Sequence, residues 1–365
     1  MQVLAAIRRT PLLWLLVFVP IVLVVERTRP EAHTALFLLS ILAIVPLAAL
    51  LSTATESVAA KTGDTIGGLL NATLGNLTEL VIALAALGAG EYTLVKASIA
   101  GAIVTNSLFM LGGSFLLGGL KHHVQEFNRS TARLQAGLLF LATVALLIPS
   151  AISRADATPE ALFTEKLSIG LAILLMLAYA LGLVFSLKTH RDFFGSASHG
   201  HGDEEEEPWP IGVAIVTLVI VTVLVALVSE VFVASVQDAA LALGMTQAFV
   251  GFIVVALVGA AAEMAAAFSG ARKNRLDLSV GIALGSASQI ALFVAPVLVL
   301  LSYVIGPAPM SLQLSPGAVT MIVIATLTAA LVTTSGRSAW FIGVLVLVVY
   351  ATLALTLYLL PPPAG

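Results

Sequence analysis

The chain has 365 residues, of which 59% are hydrophobic and only 10% charged, with a net charge of −3 and a mean hydropathy of +1.07. Soluble domains carry about a quarter charged residues, so this composition describes a polytopic membrane protein. The weakly acidic balance gives no footprint for nucleic acid, and the absence of cysteine excludes disulfides, thiolate metal sites and thiol catalysis.

A membrane span needs about 20 mostly apolar residues. Eleven such stretches are expected, over 11–26, 33–54, 66–90, 93–119, 132–152, 163–187, 210–236, 246–271, 278–304, 315–335 and 338–360. The first follows MQVLAAIRRTP, which resembles the charged start of a signal peptide. No small-residue cleavage site follows its apolar run, so it reads as a retained first helix.

Lys and Arg in the loops set the orientation. With the N-terminus inside, one side receives Arg8, Arg9, Lys61, Lys121, Arg129, Arg133, Lys188, Arg191, Arg272, Lys273, Arg275 and Arg337. The other receives Arg27, Arg29, Lys96, Arg154 and Lys166, which is 12 against 5 of the chain's 17. The expected N-terminus is therefore cytoplasmic. The short N-terminus and compact loops point to a prokaryotic plasma (inner) membrane.

The longest polar interruption is Lys188–Pro208, KTHRDFFGSASHGHGDEEEEP. It gives an expected division into an N-terminal helix over 1–30, a first five-helix unit over 31–187, an acidic cytoplasmic linker over 188–209 and a second five-helix unit over 210–365. A five-helix unit repeated after an odd number of spans enters the membrane from the opposite side, which is the condition for an inverted-topology repeat. Glu56 in LSTATESVAA echoes Glu230 in ALVSEVFVAS. Glu79 in GNLTE echoes Glu263 in GAAAE, and Asn106 roughly echoes Gln289. Three matches in the same order make chance a poor explanation.

Glu79 lies in GGLLNATLGNLTELVIALAAL, three residues after Asn76 and so one helical turn away on the same face. A carboxylate in mid-membrane costs several kcal/mol unless it has a partner, a proton or a cavity, and marks a functional site by default. Two glutamates entering from opposite faces would meet near the midplane, where both cannot stay charged without a cation. Protons or a divalent ion then compete for one site, which is exchange. The mid-span donors are all oxygens, which suits Ca²⁺, Mg²⁺, Mn²⁺ or Na⁺ rather than Zn²⁺ or Cu²⁺. Ca²⁺ tolerates flexible six- to eight-fold coordination, whereas Mg²⁺ sheds its water reluctantly.

GGLLNATLGNLTELVIALAAL, together with GAAAEMAAAFSGARKNRLDLSVGIALGSASQIALFVAPVLVL, closely resembles the two signature repeats of the Ca²⁺/H⁺ exchangers, the CAX family of the cation/Ca²⁺ exchanger superfamily. The resemblance runs over nearly the whole chain from the second helix onward, and the acidic run Asp203, Glu204, Glu205, Glu206 and Glu207 matches that family's acidic region. It implies an all-α polytopic fold of eleven spans, the first lying outside two inverted five-helix repeats. It further implies export of cytosolic Ca²⁺ driven by an inward proton gradient, with Ca²⁺ and H⁺ as transported ions, the bilayer as partner and no cofactor. Carried over by position, Glu79 and Glu263 are the central carboxylates, and Asn76, Asn106 and Gln289 side-chain ligands, with Ser286 and Ser288 as additions. One departure stands out: where the family's second repeat has Asn before its Glu, this chain has Ala260.

Around this reading other features stay open. Glu56 and Glu230 are candidates for an ion or proton entrance, and the acidic linker with His199 and His201 for regulation; each also fits a solvated surface. The same fold could exchange another pair, Na⁺ for Ca²⁺ or K⁺ or Mn²⁺ for H⁺, and a homo-oligomer stays open. An enzyme is not expected. A metalloprotease needs H-E-x-x-H on a span, and no His lies at mid-span depth to serve a serine protease.

Overall fold

The computed structural model describes residues 6–7, 10–155, 161–190 and 208–360. Asp203–Glu207, His199, His201, Arg8, Arg9 and Arg191 lie outside the described residues. Among the described residues nine helices are long and apolar enough to cross a membrane: α1 (Pro11–Thr28), α2 (His33–Lys61), α4 (Tyr92–His122), α5 (Arg129–Ala151), α6 (Phe163–Thr189), α7 (Ile211–Ala242), α9 (Leu276–Leu301), α10 (Pro316–Thr333) and α11 (Trp340–Leu359). Two more, α3 and α8, are bent pairs. The arms of α3 are Ile66–Leu74 and Leu77–Gly88, meeting at 42°; those of α8 are Gln247–Gly259 and Ala261–Arg272, meeting at 59°. At 1.5 Å per residue the nine unbroken helices are about 27 to 48 Å long, enough for an apolar layer of about 30 Å.

Several helices outrun the apolar stretches that predict them. α2 continues to Lys61 and α7 to Ala242. Their polar ends remain helical because a helix needs apolar surroundings only over the hydrocarbon layer, and its end can project into water.

What the outer helices expose shows which solvent they expect. α6 presents Ile173, Leu174, Leu177 and Leu181, and α7 presents Val216, Val219, Ile220 and Val223. Such continuous apolar faces would drive aggregation in water and are the ordinary state of a helix in lipid. α4 and α9 are the opposite, with 78% and 72% of their most apolar stretch buried, against 17–22% in α1, α6, α7 and α11. The chain is a multi-pass membrane protein with α4 and α9 at its centre. α2 and α7 pack along one another, joined by Phe37 stacked on Phe232 at 5.2 Å.

The connections gather at two ends. At one end Lys121 Nζ and His122 Nε2 each reach the carbonyl of Arg272 at 3.0 Å. Gln125 Nε2 donates to Ala271 O and to Asn274 Oδ1, and the Asn128 amide donates to Asp277. A short ribbon completes this end: β1 (Val124–Glu126) pairs antiparallel with β2 (Arg337–Ala339), and Arg337 pairs with Glu126 at 2.8 Å. The sequence predicts helices only. The ribbon forms because two loops meet where their backbone groups can satisfy one another. At the other end Glu91 accepts hydrogen bonds from Gln237 and Gln247 at 2.5 and 2.7 Å. Tyr92 Oη donates to Ala308 O and accepts from Ala308 N, Lys96 bonds Ser311, and His33 lies 3.3 Å from Asp238.

Candidate cation site

The two helix breaks each fall directly after a glycine. In α3 the break falls at Gly75–Asn76, two poor helix formers side by side; Asn76 takes φ −98°, ψ 27° and begins the second arm. Tyr179 of α6 donates to the carbonyl of Ala72 at 2.9 Å and stacks on Phe293 of α9, tying the first arm of α3 in place. In α8 the break falls at Ala260, φ −80°, ψ 6°, although alanine is the strongest helix former. Gly259, the residue before it, is a poor helix former, and the space it leaves is filled from the other half. Glu79 packs into the notch at Gly259, where a Cβ would stand 2.9 Å from Glu79 Cγ and 3.4 Å from its Oε1.

Both breaks do the same thing. Each puts a glutamate in the first turn of a new helical arm, Glu79 in one and Glu263 in the other. The free N–H groups and positive dipole end of each arm then lie close to the carboxylate. Glu263 lies beside Ser286 and within the electrostatic reach of Glu79, so the two carboxylates share one site. Glu79 also borders a small cavity with Ala83, Ser98, Ala102, Val255 and Val294.

Polar side chains from α3, α4 and α9 close around them. Asn76 donates from Nδ2 to Gln289 Oε1 at 2.7 Å, and its Oδ1 accepts from Ser286 Oγ at 2.7 Å. Ser286 in turn accepts from Asn106 Nδ2 at 2.8 Å. Asn106 sits in a π-helical stretch, Thr105–Met110, and a second one, Ile290–Val294, begins immediately after Gln289. Such wide turns displace side chains from the regular helical track and recur at functional sites.

Of the residues singled out from sequence, Glu79, Glu263, Asn76, Asn106, Ser286 and Gln289 are brought together. Ser288 is not: its hydroxyl returns to the carbonyl of Gly285 in its own helix at 2.8 Å. Glu56 is exposed and accepts from Ser52, and Glu230 is exposed on α7. Asn71 is exposed on the first arm of α3. Sequence reading passes over Ser107, whose fully buried side chain neighbours Asn106. The signal was present, since a hydroxyl beside an amide in a buried apolar helix is itself unusual.

Four oxygens in this region are buried with no hydrogen-bond partner among the described residues: Glu79 Oε1, Glu263 Oε2, Asn106 Oδ1 and Ser107 Oγ. Leaving a buried acceptor unpaired costs about 1–3 kcal/mol, and more when it is charged. All four atoms are hard oxygen donors, the set that a cation such as Ca²⁺ takes. Among the described residues no three His, Cys, Asp or Glu side chains gather at one point. The arrangement therefore offers two carboxylates supplemented by neutral oxygens.

The sodium/calcium exchanger protein family matches residues 32–188 and 213–359, the two halves on either side of the linker. The chain is 38% identical over 359 residues to a Ca²⁺/H⁺ antiporter of Aphanothece halophytica, covering 95% of this chain and 96% of that one. It is 41% identical over 327 residues to the Ca²⁺/H⁺ antiporter ChaA of Bacillus subtilis, covering 89% and 92%. Among solved structures it resembles native YfkE with a TM-score of 0.80 at 35% identity, covering 94% of this chain and 97% of that one. The fold is also that of an H⁺/Ca²⁺ exchanger CAX, with a TM-score of 0.70 at 17% identity, covering 97% of this chain and 88% of that one. With both halves matched and its relatives spanned almost end to end, the chain belongs to the sodium/calcium exchanger family.

Proposed function

We propose that this protein is a secondary antiporter that exchanges Ca²⁺ for H⁺ by alternating access, with Glu79 and Glu263 binding either the ion or protons. One observation carries the reading: two glutamates from the two halves of the chain share a buried polar site, and each keeps one oxygen buried without a hydrogen-bond partner. A divalent cation neutralises both carboxylates at once, and so do two protons. The low-dielectric setting disfavours the state with neither. Ion and protons thereby exclude one another, which couples their movements. Asn76, Asn106, Ser286 and Gln289 supply or orient the neutral oxygens.

The transport cycle rests on eleven spans, α1 standing outside two inverted five-helix repeats. Two features support this. α3 and α8 are both broken one turn before their glutamate, and α4 and α9 both carry a π-helical stretch beside the site. Also, α2 begins at the end holding His33 and Asp238, whereas α7 begins at the opposite end, where the amide of Trp209 meets Ser57 Oγ. The end that gathers Lys121, Arg129, Arg272, Lys273, Arg275 and Arg337 is then cytoplasmic, with the N-terminus on the same side. The reading places the protein in a prokaryotic inner membrane, expelling cytosolic Ca²⁺.

Inside-out vesicles test it. Ca²⁺ uptake should require a pH gradient, acid inside, collapse with a protonophore, and ignore an imposed Na⁺ gradient. Uptake driven by Na⁺ without a pH gradient would assign a different ion pair.

A further inference from the structure

A second small cavity, with apolar walls from Phe127, Ala132 and Val280, lies between α5 and α9 at the end of the molecule that carries the basic loops. Asn128, Thr131, Gln135, Asp277 and Gly281 line it. Gln135 is the member closest to the site. Its Nε2 donates to the carbonyl of Gly281 at 3.4 Å and stands 3.3 Å from where a Cβ on Gly285 would lie. Gly285 directly precedes Ser286, the hydroxyl that joins Asn76 to Asn106. The amide nitrogen of Gln135 is thus committed to the backbone of α9. Its carbonyl oxygen Oε1 is buried with no hydrogen-bond partner among the described residues.

A side chain that only clamped two helices would gain from pairing both ends of its amide, because a buried unpaired acceptor is destabilising. Here the nitrogen end is held and the oxygen end is left over, on the wall of a cavity one helical turn from the central network. The cavity also holds the carboxylate of Asp277, which accepts from the Asn128 amide. Along α9 the carboxylate of Asp277 lies at the basic end and Ser286 and Gln289 at the central network, and Gln135 lies between them, beside Gly281 and Gly285. Amide carbonyls are ordinary Ca²⁺ ligands and replace water of hydration without adding charge. We propose that Gln135 contributes its side-chain carbonyl to Ca²⁺ as the ion passes between the α5–α9 cavity and the central carboxylates, and so sets the protein's apparent affinity for Ca²⁺. The proposal rests on the exchange reading above.

Two substitutions at this position separate a ligand from a clamp. In vesicles with a fixed pH gradient, Gln135→Leu should raise the KM for Ca²⁺ by about tenfold while leaving the maximal rate within about twofold, the split expected when binding is lost and later steps are kept. Gln135→Glu retains an oxygen at the same place and should keep or lower the KM. If Gln135→Leu leaves KM unchanged, or if both substitutions raise it equally, the ligand role is wrong. Should Gln135→Leu not elute as a single detergent-solubilised peak, Gln135→Glu decides alone: a KM raised severalfold overturns the proposal. Absence of pH-driven Ca²⁺ uptake in the unaltered protein would instead overturn the exchange reading beneath it.

Discussion

At the scale of single residues, the site is an asymmetric pair. Asn76 of the first half bonds both Ser286 and Gln289, while the position matching it in the second half is Ala260, fully buried with no polar side chain to give. Of the two broken helices, only α3 therefore brings a side-chain amide to the polar groups of α9. The two carboxylates have no substitute among the neutral donors around them. Glu79→Gln and Glu263→Gln each keep the shape and remove the charge and the exchangeable proton. Each should reduce Ca²⁺ exchange by at least about a hundredfold, a loss of about 2.7 kcal/mol or more, while leaving the protein folded. Transport by purified variants in vesicles checks the first part and a single size-exclusion peak the second. Substantial exchange by either variant would sink the mechanism.

At the scale of elements, helices approach closely where side chains are absent. α4 crosses α8 at Gly101, where a Cβ would stand 2.1 Å from the carbonyl oxygen of Phe252 and 2.5 Å from its Cα. These are backbone atoms and cannot rotate aside, so any side chain here pushes α4 away from α8. Gly101→Val should destabilise by about 1–3 kcal/mol, the usual cost of overpacking, and appear as a lower melting temperature in detergent. Gly137 on α5 has nothing within 4 Å of its Cβ position, so Gly137→Ala should leave melting nearly unchanged. Equal effects at the two glycines would mean that the α4–α8 contact is not what holds the central helices. The broken helices follow related logic. At the bend in α8 the missing side chain of Gly259 leaves the notch that Glu79 of the other half fills.

At the scale of the whole molecule, polar contacts join the two halves at the site, at the two ends and within the bundle, where Thr143 meets Thr326 at 2.9 Å. The Glu91–Gln237–Gln247 cluster and the Tyr92–Ala308 pair hold one end; the β1–β2 ribbon and the contacts around Arg272 hold the other. Alternating access needs each end to open in turn, so these contacts are the ones a cycle must remake. Competition at the shared carboxylates has a further consequence. Acid on the Ca²⁺-loading side protonates the site and should raise the KM for Ca²⁺ as pH falls. The rise should approach about tenfold per pH unit if one proton must leave and about a hundredfold if two must leave. Initial rates of ⁴⁵Ca²⁺ uptake at several external pH values give that slope. A KM indifferent to pH would show that protons and Ca²⁺ do not share the site.

Much of this was legible in the residues themselves. Apolar runs long enough to span a bilayer define the helices, because in hydrocarbon every backbone group must bond within its own helix. Glu79 and Glu263 stand out as carboxylates in those runs, which lipid does not tolerate without a reason. Other matters depend on distant contacts. At Ala260 a glycine precedes the break as Gly75 does in α3, and it is a residue of the other half, Glu79, that fills the space beside it. Sequence spacing treats Ser286 and Ser288 alike, and only the rotation of α9 against α3 and α4 turns Ser286 into the centre of the network and sends Ser288 back to its own backbone. Gln135 reads in sequence as an ordinary polar residue near the start of α5, and its neighbours on α9, about 150 residues away along the chain, leave its carbonyl unpaired. Composition and periodicity determined that there are membrane helices and that two carry a misplaced charge, since burial in lipid acts on each segment by itself. Which oxygens face one another was decided by tertiary packing, because that depends on how helices from opposite halves rotate and cross.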